Sequence, residues 1–211
     1  MDKIEAFEEI YRDYLEQLGQ VDLERVCKRL GLAREGQEAI VPLFGHLHRV
    51  SSKGILNPQG KRPIHSVCVI LSKYLILCPE IEPMGSEWVT YREFKDAAPF
   101  VGGFMAHAEK PIAQAFAGGL PKLVQAAEQL AGKPVETEVR VDLAIRFQAL
   151  PKLPMLLLMN DQDEDFPAQC SLLFQSRAQN YLDMECLAMM GWVLAEWLGS
   201  YSSWSKTTVG K

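Results

Sequence analysis

Three apolar runs of strand length lie close together between residues 141 and 175, and they constrain the fold more than any other feature. The first two, in "VDLAIRFQALPKLPMLLLMND", are joined by a short link bounded by prolines. "DQDED" (161–165) is a polar turn, and "FPAQCSLLFQ" is the run that returns from it. Strands joined by such short connections pair antiparallel, because a parallel crossover needs a dozen or more residues. The sequence therefore predicts consecutive antiparallel strands here.

A second strand-rich segment, "AIVPLFGHLHRVSSKGILNPQGKRP" (39–63), has short apolar runs cut by Pro, Gly and the "NPQG" turn. This pattern predicts a small antiparallel meander. Helical patterns occupy residues 4–18, 22–31, 64–78, 99–116, 120–130 and 183–198, with a strand as the alternative for 64–78. The order of elements is not the alternation of a parallel α/β fold. It favours the α+β class: a single domain with a mainly antiparallel sheet and packed helices.

The ends of the chain differ from its middle. Residues 1–21 hold an amphipathic helix, with apolar residues three or four positions apart. Residues 22–198 form the single α+β domain, since no linker divides them. The last segment, "GSYSSWSKTTVGK" (199–211), has no periodicity and predicts a mobile C-terminal tail.

Composition and charge exclude several classes of protein. The formal charge of −5 comes with scattered basic residues, which argues against a nucleic-acid partner. The acidic N-terminus is not a signal peptide, and the apolar run from Leu187 to Ala195 is too short to span a membrane. The five cysteines are odd in number and widely spaced. We therefore expect a soluble cytoplasmic protein without disulfides.

The segment "WVTYREF" (88–94), followed by a Gly-Gly pair, is the best candidate for a ligand site. A strand over 87–94 places Trp88 and Arg92 on one face and Glu93 on the other. An arginine beside aromatic rings suits a small, planar anionic ligand, and glycines just before a helix leave backbone N–H groups for an anion. The candidate ligand-binding residues are Trp88, Tyr91, Arg92, Glu93, Gly102 and Gly103.

The same segment has a structural interpretation. Trp88 and Phe94 would lie in the core, because aromatic residues at strand spacing usually pack. Arg92 would form an ion pair, with Glu138 or Asp142 as the expected partner. Both interpretations stay open at the level of sequence.

Metal sites are poorly supported. His46 and His48 share one strand face and supply half a metal site, but further ligands are not nearby in sequence. "DQDED" begins like a calcium loop, yet Phe166 and Leu172 stand where that loop needs Gly and Glu. No cysteine pair has C-x-x-C spacing. We expect no metal and no cofactor.

Three ordered elements carry a resemblance to a known family. They are the Trp-x-x-x-Arg-Glu-Phe element (88–94), the Phe-x-Ala-Leu-Pro-x-x-Pro element (147–154), and the acidic turn before Phe166-Pro167. From about Asp22 to Leu198 the chain resembles the family called domain of unknown function 3786. The resemblance implies a cytoplasmic protein of anaerobic bacteria or archaea, associated with corrinoid or one-carbon metabolism. Some members resemble fusions to an iron–sulfur segment, whereas this chain has only Cys27 in that region.

Three functions follow as hypotheses. The first is a ligand- or partner-binding accessory domain in anaerobic metabolism. The second is an enzyme acting on a small anionic or planar ligand at a Trp88/Arg92 pocket. The third is a protein-interaction subunit that docks through the tyrosine-bearing N-terminal helix. Whether the protein is an enzyme is left open, since no catalytic motif occurs.

Overall fold

The computed structural model describes the backbone of residues 3–208 and the side chains of residues 5–201. The helices are α1 (Lys3–Gly19), α2 (Leu23–Leu30), α3 (His65–Ile76), α4 (Val101–Phe104), α5 (Lys110–Phe116), α6 (Leu120–Glu128) and α7 (Met184–Thr208). The strands are β1 (Ala33–Glu35), β2 (Glu38–Leu43), β3 (His46–Ser51), β4 (Gly54–Leu56), β5 (Trp88–Thr90), β6 (Gly132–Pro134), β7 (Leu143–Leu150), β8 (Leu153–Asn160) and β9 (Gln169–Gln175). A π-helical turn (Met105–Glu109) joins α4 to α5, and 3₁₀ turns cover Tyr91–Glu93 and Ser176–Asn180.

The strands form two antiparallel sheets, which confirms the α+β class. The first is the predicted meander, in the order β1-β2-β3-β4. The second has the order β5-β9-β8-β7-β6 and contains the three strands expected between residues 141 and 175. β8 lies at the centre of this second sheet and is buried along most of its length. One buried core is continuous through both sheets and the helices.

The two sheets meet at the turn between β2 and β3. Phe44 has φ 47° and Gly45 has φ 80°, and positive φ at both residues is the geometry of a tight hairpin turn. Phe44 is fully buried, and its N–H donates to the carbonyl of Ala149 in β7 at 2.9 Å. A Cβ on Gly45 would lie 3.1 Å from the Cβ of Ala131. The turn is therefore fixed by close contact with the second sheet.

The final helix is buried mainly by other helices. α7 packs against α3, α5, α6 and the π turn. At Gly191 the ring of Phe104 lies against the α7 backbone, so close that a Cβ would collide with it. Because Gly191 has no side chain, α7 can lie close to α4 and the π turn. This close approach is why these helical segments cover α7.

The C-terminal segment differs from the prediction. α7 was expected to end at about Leu198, with residues 199–211 as a mobile tail, but the helix continues to Thr208. Serine and threonine have only moderately poor helix propensity, so a helix already stabilised by packing can extend through them. Residues 209–211 lie outside the described part of the chain. Within that part, no helix is long and apolar enough to cross a membrane.

Candidate functional site

A cavity of about 300 Å³ lies where the meander, the start of α3 and the part of α7 from Trp197 to Tyr201 meet. We call it the His46–Trp197 cavity. It is lined by His46, His48, Asn57, Pro58, Gln59, Pro63, Ile64, Val67, Trp197, Ser200 and Tyr201. The lining residues come from three parts of the chain, residues 46–48, 57–67 and 197–201, and each part supplies a different kind of side chain.

Strand β3 supplies the two histidines. Their i, i+2 spacing places both on the inner face of the strand, as the sequence predicted, while Leu47 between them is exposed. In the β2–β3 register His46 is opposite Leu43, next to the turn at Phe44 and Gly45. The position of His46 is therefore fixed by the same turn that joins the two sheets.

His48 is held in a neutral, hydrogen-bonded state. It is 2% exposed, and its Nδ1–H donates to the carbonyl oxygen of His46 at 2.9 Å. Burial lowers the pKa of His48, and hydrogen bonds to the backbone of His46 and Val41 only partly oppose this effect. Burial likewise lowers the pKa of His46. At neutral pH both imidazoles are uncharged.

Helix α7 supplies an aromatic wall. The indole of Trp197 contacts His46 edge-on, with ring centroids 5.2 Å apart and an interplanar angle of 87°. It also meets Phe44 in an edge arrangement at 6.0 Å. Ser200 and Tyr201 follow in the next turn, and the Ser200 hydroxyl donates to the carbonyl of Glu196 at 2.9 Å. Both residues belong to the segment that was expected to be a tail.

The loop Asn57–Pro63 forms the remaining wall and is internally rigid. The side-chain oxygen of Asn57 accepts hydrogen bonds from the N–H groups of Gln59 and Lys61, at 3.0 and 2.9 Å. The Asn57 N–H in turn donates to the Lys61 carbonyl at 2.8 Å. An asparagine that bonds its own following backbone in this way closes a compact turn. The amide and proline side chains of the loop are therefore presented in a fixed geometry.

The lining of the cavity carries no full charge. None of its eleven residues is Asp, Glu, Lys or Arg, and both histidines are neutral for the reason given above. Aromatic rings, aliphatic carbons and amide or hydroxyl groups make up its surface. Such a lining suits an uncharged ligand with an aromatic face and a few hydrogen-bonding atoms.

The residues selected from sequence lie elsewhere. The strand expected over 87–94 ends at Thr90, so the predicted sharing of a face by Trp88 and Arg92 is wrong. Thr90 and Glu93 form a capping box in which the Glu93 carboxylate accepts from the Thr90 N–H at 2.7 Å and from its Oγ1 at 2.6 Å. These bonds keep the pKa of Glu93 below its usual range. Glu93, a candidate ligand-binding residue, therefore caps a turn.

Tyr91 belongs to the core. It is 2% exposed, stacks on Phe104 with a centroid distance of 4.3 Å, and its hydroxyl donates to the carbonyl of Met184 at 2.7 Å. Trp88 is half-buried in β5. Gly102 and Gly103 are the second and third residues of α4 rather than residues before a helix. Their N–H groups still lie in the first helical turn, where N–H groups have no partner within the helix.

Arg92 is exposed, and the described part of the chain offers it no ion pair, neither with Glu138 nor with Asp142. Its charge acts on Glu109, a half-buried carboxyl group at the end of the π turn. Burial raises the pKa of Glu109, while a hydrogen bond from the Leu172 N–H at 3.0 Å and the positive charge of Arg92 partly offset that rise. The π turn ends two residues before Pro111 and interrupts the helical pattern expected over 99–116.

The cavity was only partly foreseen from the sequence. The "HLH" pattern did identify His46 and His48, but as a possible metal site, and among the residues described no cluster of three or more His, Cys, Asp and Glu side chains could hold a metal ion. Asn57, Trp197, Ser200 and Tyr201 were missed. "NPQG" was recognised only as a turn, and Trp197 only as part of an apolar helix.

Comparison with known proteins gives a family match. The model of a family described as Domain of unknown function (DUF3786) matches residues 22–197. Neither the curated proteins nor the solved structures give a match.

Proposed function

The chain belongs to this family of unknown function, and from that premise we propose that it is a small-molecule-binding protein whose ligand occupies the His46–Trp197 cavity. The observation that carries the proposal is the uncharged lining of a cavity of about 300 Å³. This volume is at the lower end of the usual range for ligand sites, which runs from roughly 300 to 1,000 Å³. An accessory binding role agrees with the first of the sequence hypotheses.

The lining selects the class of ligand. A charged ligand would lose its hydration without meeting an opposite charge, and that loss is costly. A flat, uncharged ring can instead contact the face or edge of Trp197 and Tyr201, while Gln59 and Asn57 offer amide groups to its heteroatoms. We therefore propose an uncharged planar ring compound as the ligand. A small anion, which the sequence suggested for the Trp88/Arg92 segment, does not suit this cavity.

The proposal is tested by titrating the protein with indole, adenine and benzoate, which are of similar size and differ in charge. A ring of about ten heavy atoms that fits a preformed pocket should bind with a Kd of about 1 mM or below. We expect indole or adenine to shift the indole N–H resonance of Trp197 in ¹⁵N NMR spectra, and benzoate to leave it unchanged. The resonance is assigned with Trp197→Phe.

Two variants locate the binding. Trp197→Leu and His46→Ala should abolish the binding of the uncharged rings, because they remove the aromatic wall and its partner. Trp88→Leu, a half-buried tryptophan outside the cavity, is the matched control and should bind as the unmodified protein does. The proposal is wrong when none of the uncharged rings shifts Trp197 at 10 mM, about ten times the expected Kd. It is equally wrong when the uncharged rings still shift the backbone amide resonances of His48 and Gln59 in Trp197→Leu.

A site at Arg92 is a second proposal, tied to the enzyme hypothesis. Its support is an exposed guanidinium without an ion pair in the described chain, close enough to Glu109 to influence that carboxyl group. An anionic ligand there would meet a permanent positive charge and a potential proton donor. The association with anaerobic corrinoid or one-carbon metabolism, the cytoplasmic location and the absence of a nucleic-acid partner also stay predictions from sequence and resemblance.

The tyrosine face of α1 is less suited to docking a partner than the sequence suggested. Tyr11 is 9% exposed, and Tyr14 and Leu15 are packed against the core. Among the α1 residues whose side chains the structure describes, the exposed large apolar ones are instead Phe7 and Ile10. A protein-interaction role through the tyrosines would require α1 to leave the domain.

A further inference from the structure

α1 contacts both ends of the loop that forms one wall of the His46–Trp197 cavity. The hydroxyl of Tyr11 accepts a hydrogen bond from the N–H of Ile55 at 3.0 Å. Ile55 is in β4, two residues before Asn57, and is fully buried. The start of the loop Asn57–Pro63 is therefore attached to α1 through a buried hydrogen bond.

The end of the loop is attached to the same helix face. Nη1 of Arg62 lies 2.7 and 2.9 Å from the two carboxylate oxygens of Glu8. The guanidinium also lies 3.6 Å above the ring of Tyr11. The next residue, Pro63, lines the cavity. Glu8 and Tyr11 are three residues apart, so they lie side by side on α1 and hold the two ends of one loop.

A third contact involves the start of α3. Phe7 packs on His65 with ring centroids 4.4 Å apart. His65 follows Ile64, which lines the cavity. Phe7, Glu8 and Tyr11 thus form one continuous contact along the back of the cavity wall. None of the three lines the cavity itself.

We propose that α1 regulates the His46–Trp197 cavity: when α1 is docked, it holds the loop Asn57–Pro63 in the ligand-binding geometry, and its release lowers ligand affinity. The contacts suit a reversible device, because the Arg62–Glu8 pair is partly exposed to water and is therefore weakened by salt. α1 also lies outside residues 22–197, the part that matches the family. The effect on affinity rests on the proposed function, whereas the coupling of α1 to the loop does not.

The test uses Glu8→Gln and Tyr11→Phe, alone and together, in the full chain. The first removes the charge that holds Arg62, and the second removes the acceptor of the Ile55 N–H. Glu9→Gln is the matched control, because Glu9 is an exposed carboxylate in the same helix and is not part of this contact. Circular dichroism and thermal unfolding establish that each variant is folded at the temperature of measurement.

Two measurements need no ligand. We expect the double variant to show faster hydrogen exchange at Ile55 and in residues 57–62, and stronger acrylamide quenching of Trp197. The quenching of Trp197 is obtained by difference from the same variants carrying Trp197→Phe. Glu9→Gln should change neither quantity. The proposal is overturned when a folded double variant shows the exchange and the quenching of the unmodified protein.

The third measurement is the affinity for indole and adenine. The double variant should bind these probes about tenfold more weakly, within the usual range for coupling between two sites. If the probes bind at Trp197 and the double variant binds them equally well, the regulation by α1 is wrong and the proposed function stands. If α1 alters exchange and quenching while no probe binds to any variant, the proposed function is wrong and the coupling stands.

Discussion

The indole of Trp197 stands edge-on to the imidazole of His46, with ring centroids 5.2 Å apart and planes at 87°. This contact joins the meander to the last helix across about 150 residues of sequence, and it forms one corner of the cavity. An indole beside a protonated histidine would favour the cation, but burial lowers the pKa of His46. The contact is therefore between two neutral rings. The cavity stays uncharged as long as His46 is not protonated.

The first prediction is that stability falls as pH falls below neutrality. Burial lowers the pKa values of His46, His48 and His65 in the folded state. Unfolded histidine has a pKa of about 6.5, so below that pH the unfolded chain binds protons that the folded chain does not, and the free energy of unfolding decreases. Each histidine contributes a slope of at most about 1.4 kcal/mol per pH unit. Urea unfolding at pH 7.5, 6.5 and 5.5 measures the free energy of unfolding and its change with pH.

The control for this pH dependence is His48→Gln. It removes the most buried of these rings and should give a shallower slope between pH 7.5 and 5.5 than the unmodified protein. The raised pKa of Glu109 acts in the opposite direction, because the folded chain takes up that proton first as pH falls. Glu109 contributes equally to the unmodified protein and to His48→Gln, so its contribution cancels when the two slopes are compared. Equal slopes in the two proteins would contradict the burial of a neutral His48.

The second prediction concerns two glycines of α7. Gly191→Ala should destabilise the protein by about 1–3 kcal/mol, because the new Cβ would collide with the ring of Phe104 and lie 3.1 Å from the Cβ of Ala108. At Gly199 nothing lies within 4 Å of a new Cβ. Gly199→Ala should therefore stabilise the helix by about 0.5–1 kcal/mol. Opposite shifts in the urea midpoint are the expected result. A stable Gly191→Ala protein would show that α7 and the π turn are not in close contact.

Some elements follow from local sequence and others do not. The hairpins of β7, β8 and β9 were predicted because apolar runs and turn residues alternate over short distances, and such patterns are local. The end of β5 was missed although a local signal was present: Thr90 and Glu93 are spaced as in a capping box, which begins a helical turn and ends a strand. The cavity had no equivalent signal. Trp197 becomes a lining residue only because α7 packs beside the turn at Phe44.

The third prediction separates the two interpretations of Arg92. Because Arg92 is exposed and has no ion pair in the part of the chain that the structure describes, Arg92→Lys should change the free energy of unfolding by less than about 0.5 kcal/mol. A structural ion pair at this position would instead cost about 2 kcal/mol or more. Arg177→Lys provides the comparison, because Arg177 does have side-chain partners. Its guanidinium lies 4.0 Å from the Glu82 carboxylate, and its Nε donates to Gln175 at 3.0 Å.

A binding role for Arg92 has its own measurement. Benzoate should raise the thermal midpoint of the unmodified protein, and Arg92→Lys should reduce that rise, because a lysine cannot provide the paired hydrogen bonds of a guanidinium. Equal protection of the two proteins by benzoate would leave the site proposed at Arg92 without support. The His46–Trp197 cavity is unaffected by that outcome, since Arg92 does not line it.

The fourth prediction tests the extension of α7 beyond the predicted end of the domain. The family match stops at residue 197, whereas Ser200 and Tyr201 line the cavity. A chain ending at Leu198 keeps Trp197, the fully buried Leu198 and the core before them, but it loses the lining residues Ser200 and Tyr201. We expect it to fold, with a lower thermal midpoint, and to bind indole or adenine at least tenfold more weakly, a loss of about 1.4 kcal/mol or more.

A chain ending at Tyr201 is the matched control and should bind these probes as the full chain does. Tyr201→Ala in the full chain distinguishes loss of the side chain from fraying of the shortened helix, and it should also weaken binding. If the chain ending at Leu198 binds as tightly as the one ending at Tyr201, Ser200 and Tyr201 are not part of the ligand site.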